Sequence, residues 1–253
     1  MLAARALEGL PEIAAGTDLG ALIAERAAAE GGPPLRDGDV VVVAHKAVSK
    51  AEGRVRRLAE VQPGERAREL AAAQGKDPRH VQVVLDETAE LLRAERGVLI
   101  CVTRHGFVCA NAGVDASNST PDTLVLLPLD PDASARALRA RLRELTGAAP
   151  AVVVTDSFGR AWRHGQTDVA IGVAGLAALE DWRGRTDSVG HELHATWIAL
   201  ADEVAAAADL ARAKDSRQPV VVVSGLDRHV LPPGEDGPGA AALVRHAAED
   251  LFR

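Results

Sequence analysis

The segment 152–172, VVVTDSFGRAWRHGQTDVAIG, concentrates the residue types that handle metals and phosphates. An apolar run from Ala151 to Val154 ends in Thr155, Asp156 and Ser157, and Gly159, Arg160, Trp162, Arg163, Gly165 and Gln166 follow closely. Buried parallel strands read as continuous apolar runs, and ligands in α/β sheets gather just past the carboxyl ends of strands. The pattern therefore predicts a strand ending at Val154 with a functional loop beyond it. Asp156 and Ser157 offer hard oxygens for Mg2+ or Mn2+, while Arg160 and Arg163 offer guanidinium groups to phosphate. A surface loop around a core tryptophan is the plainer reading, and the strand-end placement weighs against it.

Two further segments carry similar chemistry. Residues 109–119, CANAGVDASNS, follow the apolar run Phe107–Ala110 and crowd Asn111, Asp115, Ser117, Asn118 and Ser119 around a glycine. These residue types also dominate ordinary turns, so the segment alone decides nothing. Residues 45–54 follow the apolar run Val40–Ala44 and supply His45, Lys46, Lys50 and Arg54, cationic heads suited to phosphates. Leu10, Pro11, Glu12 and Ile13 read as a plain turn on their own. Acidic and basic segments at several strand ends together suggest a metal-bridged phosphate site, because phosphoryl transfer needs charge neutralisation and in-line positioning. Neither GxxxxGK[ST] nor GxGxxG after a strand occurs, so a bound nucleotide is held by neither familiar phosphate loop. HExxH and GxSxG are absent as well, which disfavours zinc proteases and serine hydrolases.

These segments must be positioned by the elements between them. Apolar runs predict strands at 40–44, 98–102, 107–110, 124–127, 151–154, 169–173 and 220–223. Helical periodicity falls at 19–30, 65–75, 79–95, 133–145, 192–214 and 240–252. Asp18 and Asp132 are expected to cap the first and fourth helices, and Gly147 to end the fourth. Leu231 to Gly239 reads as a flexible joint. Helices and strands alternate irregularly, so an α+β or mixed α/β fold fits, neither Rossmann nor P-loop. Residues 1–253 are expected to form one unit, built as two intertwined subdomains.

The formal net charge of −7 opposes non-specific nucleic-acid binding, and no apolar stretch is long enough for a membrane span. With no signal-peptide pattern, a cytoplasmic location is expected. Cys101 and Cys109 flank a turn at 104–106 and are expected to face each other as reduced, buried thiols. Aromatic residues are only 2% of the chain, so Ala, Val and Leu must build the core.

Taken in order, GLPEI (9–13), DGDVVVVAHKAVSKAEGR (37–54), GFVCANAGVDASNS (106–119), TDSFGRAWRHGQTDVAIG (155–172) and the 181–193 run resemble the coenzyme F-420 γ-glutamyl ligase family. ADEVAAAADL (201–210) and EDLFR (249–253) also fit, so the resemblance spans essentially the whole chain, in its form without a nitroreductase-like extension. It implies a two-lobed α+β fold of the family's own and a homodimer. It also implies ligation of L-glutamate to the F-420 precursor with GTP, Mg2+ or Mn2+, and K+ as a further candidate ion. By that resemblance Asp115, Asp156 and Ser157 fall at metal-ligand positions. Leu10, Pro11, Glu12, Ile13, His45, Lys46, Lys50 and Asn118 fall where GTP is contacted. A second metal is expected around 212–218, where the match is poor. Asp156, Lys50 and, by chemistry alone, Arg160 are the expected catalytic groups. A related amide ligase acting on another acid, or a nucleotide-binding module without turnover, are the alternatives.

Overall fold

The computed structural model describes residues 1–29, 33–117, 120–213 and 215–250. The chain opens with β1 (Ala3–Ala6), α1 (Leu19–Ala28), β2 (Val40–Ala44), α2 (His45–Ala51) and β3 (Val55–Arg57). A second group follows: α3 (Glu65–Gln74), α4 (Pro78–Asp86), β4 (Thr88–Glu95), β5 (Val98–Thr103), β6 (Val108–Ala110) and β7 (Thr123–Val125). The remainder contains α5 (Pro131–Thr146), β8 (Ala151–Arg160), β9 (Arg163–Ala174), β10 (Glu180–Asp181), β11 (Trp197–Ile198), α6 (Leu200–Asp209) and β12 (Val220–Ser224). Helices and several separate sheets make this an α+β fold, as the irregular alternation predicts.

The main sheet has the order β1-β12-β2-β8-β9, and only β2 and β8 run parallel. Its central strands are valine-rich because both faces are covered. Val41, Val43, Val152 and Val154 pack against Ile23 of α1 and Leu142 of α5. Val40, Val42, Val153 and Val221 pack on the other face against Ala201, Val204 and Ala208 of α6. A second core joins Ala67, Val81, Val84, Leu99, Cys101 and Leu124, contributed by α3, α4, β5 and β7. Arg54 links the two cores, bonding Leu127 O at 3.0 Å and Glu87 Oε2 at 2.8 Å.

Several expectations are corrected. β8 does not end at Val154. It continues to Arg160 and pairs with β9 as far as Arg160↔Arg163, leaving Ala161 and Trp162 at the tip of a long ribbon. Past Thr155 its backbone groups find partners in β9, so no loop forms. The helix expected over 79–95 stops at Asp86, and Thr88–Glu95 is β4, because pairing with β5 overrides good helix formers. The helix expected over 192–214 is confined to Leu200–Asp209, and the stretch before it holds the β10–β11 ladder; Lys214 lies outside the described residues. Over 240–250 only short 3-10 turns occur. β1 gave no apolar run and was not expected.

Asp18 and Gly147 cap as predicted, but Asp130, not Asp132, caps α5. Asp132 instead accepts from Val173 N and Ala240 N, fastening β9 and the 3-10 turn to the start of α5. The 231–239 segment is no loose joint. Buried Arg139 donates to the carbonyls of Leu231 and Glu235 and to Asp236 Oδ1, at 2.7–3.0 Å. Cys101 and Cys109 do face each other across β5 and β6 as free, buried residues. Among the described residues no helix is long and apolar enough to cross a membrane.

Candidate active site

The parallel register aligns Ala44 with Thr155, so the carboxyl end of β2 lies beside the middle of β8, next to Asp156. α2 starts immediately after β2, which puts His45 and Lys46 in its first turn beside that point. His45, 2% exposed, sets Nε2 3.3 Å from Asp156 Oδ1, a close approach without hydrogen-bond alignment. Its Nδ1 lies 3.5 Å from Ser49 Oγ. Lys46 Nζ reaches Asp115 Oδ2 at 2.6 Å and Ser117 Oγ at 2.7 Å. Consecutive residues of one helical turn thus hold the two carboxylates. One turn further, Lys50 pairs with Glu12 Oε1.

The carboxylates differ in their surroundings. Burial pushes the Asp115 carboxyl up, but Lys46 and the Ser117 amide outweigh it, and the group sits below its ordinary value. Asp156 accepts from the Ser157 amide through Oδ1, while its Oδ2 takes no hydrogen bond from any described residue. Its charge is felt nearby. Burial and then Asp156 push the Cys109 thiol up to about 12, so that sulfur stays protonated and inert.

Side chains alternate along a strand, and this separates residues that the sequence placed together. Asp156 follows Val152 and Val154 onto the α2 face. Thr155 and Ser157 point to the α6 face, where Ser157 Oγ donates to Asp168 Oδ1 at 2.6 Å. Thr155 Oγ1 donates to Asp168 Oδ2 at 2.9 Å, and Arg212 Nη2 donates to the same oxygen. Asp115 and Asp156 are therefore brought to one helical turn, and Ser157 belongs to a different polar group. Asp168 and Arg212 were not singled out from sequence as site residues. A lone acid within the otherwise apolar TDVAIG run was the available signal.

Other expected residues are placed less centrally. Arg160 is exposed near the ribbon tip, and its Nη2 bonds only the carbonyl of His164. Ile13 is buried and Leu10 half-buried against the main core, while Pro11 and Glu12 are exposed. Asn118 lies outside the described residues. Among the described residues no three His, Cys, Asp or Glu side chains gather as a metal cluster. Hollows of about 360 Å³ between α3, α4 and β4, and about 230 Å³ between α1, α2 and α5, are lined by none of Asp115, Asp156 and Lys46. Converging charge, rather than concavity, locates this site.

Residues 9–225 match the family F420-0:Gamma-glutamyl ligase. The chain belongs to that family. It is an enzyme of the ligase class. The Coenzyme F420:L-glutamate ligase of Methanothermobacter thermautotrophicus is 42% identical over 248 residues, covering 98% of this chain and 97% of the relative. Those of Halobacterium salinarum and Archaeoglobus fulgidus are 49% and 47% identical, covering 98% and 87% of this chain and 94% and 86% of each relative. In this chain the connection after α6 carries Arg212, which turns inward to Asp168 with 9% of its side chain exposed.

Proposed function

We propose that the chain joins L-glutamate through an amide bond to the coenzyme F420 precursor, activating the precursor's carboxylate with GTP and a divalent cation. Family membership and the names of its relatives support the substrates. The observation that carries the chemistry is the α2 turn, which sets Lys46 on Asp115 and His45 beside Asp156. Mg2+ is commonly held by one or two carboxylates and completed by water and substrate phosphates. A pair of acids that gathers no third His, Cys, Asp or Glu among the described residues fits that habit, and Asp156 Oδ2 gives the ion a place. When bound, the cation would neutralise charge on the phosphate oxygens. Ser157, on the α6 face, would serve a second cation on the side of 212–218.

In this reading the precursor's carboxylate oxygen attacks the γ-phosphorus of GTP, and GDP leaves with the bond's electron pair. The glutamate amine then attacks the acyl carbon, loses a proton and displaces phosphate. Lys50 would exchange Glu12 for a phosphate oxygen, while Lys46 and Arg160 would offset remaining charge. Leu10, Pro11, Glu12, Ile13, His45 and Asn118 would frame the nucleotide. The ribbon carries Arg160 outward from its own sheet, and a homodimer is the assembly that would return it to a site. Incubating the purified chain with precursor, L-glutamate, GTP and Mn2+ should give a product heavier by one or more glutamyl units. No mass shift beside a competent control enzyme would reject the reading.

A further inference from the structure

Asp168 is 2% exposed in β9, directly opposite Ser157 in the register of the ribbon. Every oxygen of the group it organises is engaged. Ser157 Oγ donates to Oδ1; Thr155 Oγ1 and Arg212 Nη2 donate to Oδ2; Arg212 also donates to Thr155 Oγ1 and, through Nη1, to the carbonyl of Pro219. A buried ion pair adds little stability over an apolar pair of similar volume. Its presence beneath a polar strand therefore points to what it does for the neighbouring hydroxyl.

A serine hydroxyl has one proton and two lone pairs. With its proton committed to Asp168, Ser157 Oγ can only accept from any further partner, the state required of a cation ligand and useless for donating to phosphate. Arg212 balances the charge of Asp168, so the acid orients the hydroxyl without competing for the ion. Arg212 lies in the connection from α6 to β12, so its bonds to Asp168 and to Thr155 Oγ1 also tie that arginine to β9 and to β8, the strand that carries Asp156.

We propose that Asp168 is a positioning residue that fixes Ser157 as an acceptor-only cation ligand, with Arg212 holding Asp168 in place. The inference rests on the cation reading given above. It is tested by Mn2+ binding to the full chain without co-substrates, followed by calorimetry and by the paramagnetic resonance signal of free Mn2+. Partners behind a metal ligand are worth about 10–100-fold in metal affinity. Asp168→Asn should weaken the Mn2+ site that Ser157→Ala weakens, by at least about tenfold on that scale. The double variant should lose no more than Ser157→Ala alone. Because Asp168→Asn leaves a buried arginine without its counter-charge, the variant Asp168→Asn/Arg212→Gln is measured beside it, and the same loss is expected. A purely structural role would lower the unfolding midpoint with Mn2+ affinity unchanged, or give additive losses. Either result, with the wild type binding Mn2+, overturns this inference alone. A wild type that binds no Mn2+ overturns the cation reading and this inference together.

Discussion

Lys46 Nζ lies 2.6 Å from Asp115 Oδ2, so the helix that follows the central strand reaches into the segment attached to the second core. The Asp115 side chain is 42% exposed, and pairs of that kind contribute at most about 1 kcal/mol to stability. Lys46→Met should therefore lower the urea midpoint only slightly. Turnover should fall by more than about a hundredfold, because a cation aimed at transferring phosphate is worth far more in the transition state than at rest. Parallel losses of stability and activity would mean that Lys46 is only a strut.

Asp156→Ala should abolish turnover and also the metal-dependent rise in melting temperature on adding GTP. A ligand that binds only the folded state must stabilise it, so loss of the shift reports loss of binding. If GTP still raised the melting temperature of the variant in a metal-dependent way, Asp156 would not be the cation ligand.

Asp202 provides a pH test away from the chemistry. The register of the ribbon slips between Val154↔Gly172 and Thr155↔Ala170, and the freed Ala170 N donates to Asp202 Oδ1 at 2.9 Å. Burial raises the Asp202 carboxyl above its ordinary value, with that amide partly opposing it. A raised folded-state value means that the contribution is complete below the unfolded value near ~4 and is lost as pH rises through the folded value. Asp202→Asn keeps an acceptor for Ala170 and carries no charge. Its stability relative to wild type should increase from pH 4 to pH 7, read from urea midpoints at several pH values. A pH-independent difference would contradict the assignment.

Gly172 is where β9 touches the start of α5. A Cβ there would lie 2.3 Å from Pro131 O, a backbone atom that cannot swing aside. Gly172→Ala should cost about 1–3 kcal/mol through overpacking. Gly159, with open space around its Cβ position, is the matched control and should change stability by under about 0.5 kcal/mol as alanine. Equal effects in chemical denaturation would refute the close-approach account.

What could be read from the chain was local. Continuous valine runs marked β2 and β12, Asp18 and Gly147 marked helix ends, and the symmetric spacing of Cys101 and Cys109 put them opposite each other. Asp115, Asp156, His45 and Lys46 were legible as polar residues at or past apolar runs, and the fold sets His45 beside Asp156 and Lys46 on Asp115. Pairings between distant segments were not legible. Thr88–Glu95 has helix-forming residues and becomes a strand only because β5 is there to receive it. The same blindness placed Asp156 and Ser157 in one ligand set. Their separation needs the knowledge that β9 keeps the backbone extended past Thr155, which sends neighbours to opposite faces. Asp168 and Arg212 are distant in sequence, and nothing in either segment announces the other.

The alignment of Ala44 with Thr155 has a consequence for how such an enzyme can diverge. The edge that carries Asp156 is indexed to a ladder of backbone hydrogen bonds, and a ladder moves only by whole rungs. A slip of one residue would exchange the carboxylate at 156 for a hydroxyl on the α2 face and send the acid to the other side. No graded tuning of that edge is open to mutation in the strands. Adjustment to a different acid or a different tail length has to come from parts that are not on the ladder: the tip around Trp162, the turn at 9–13 and the connection at 212–219.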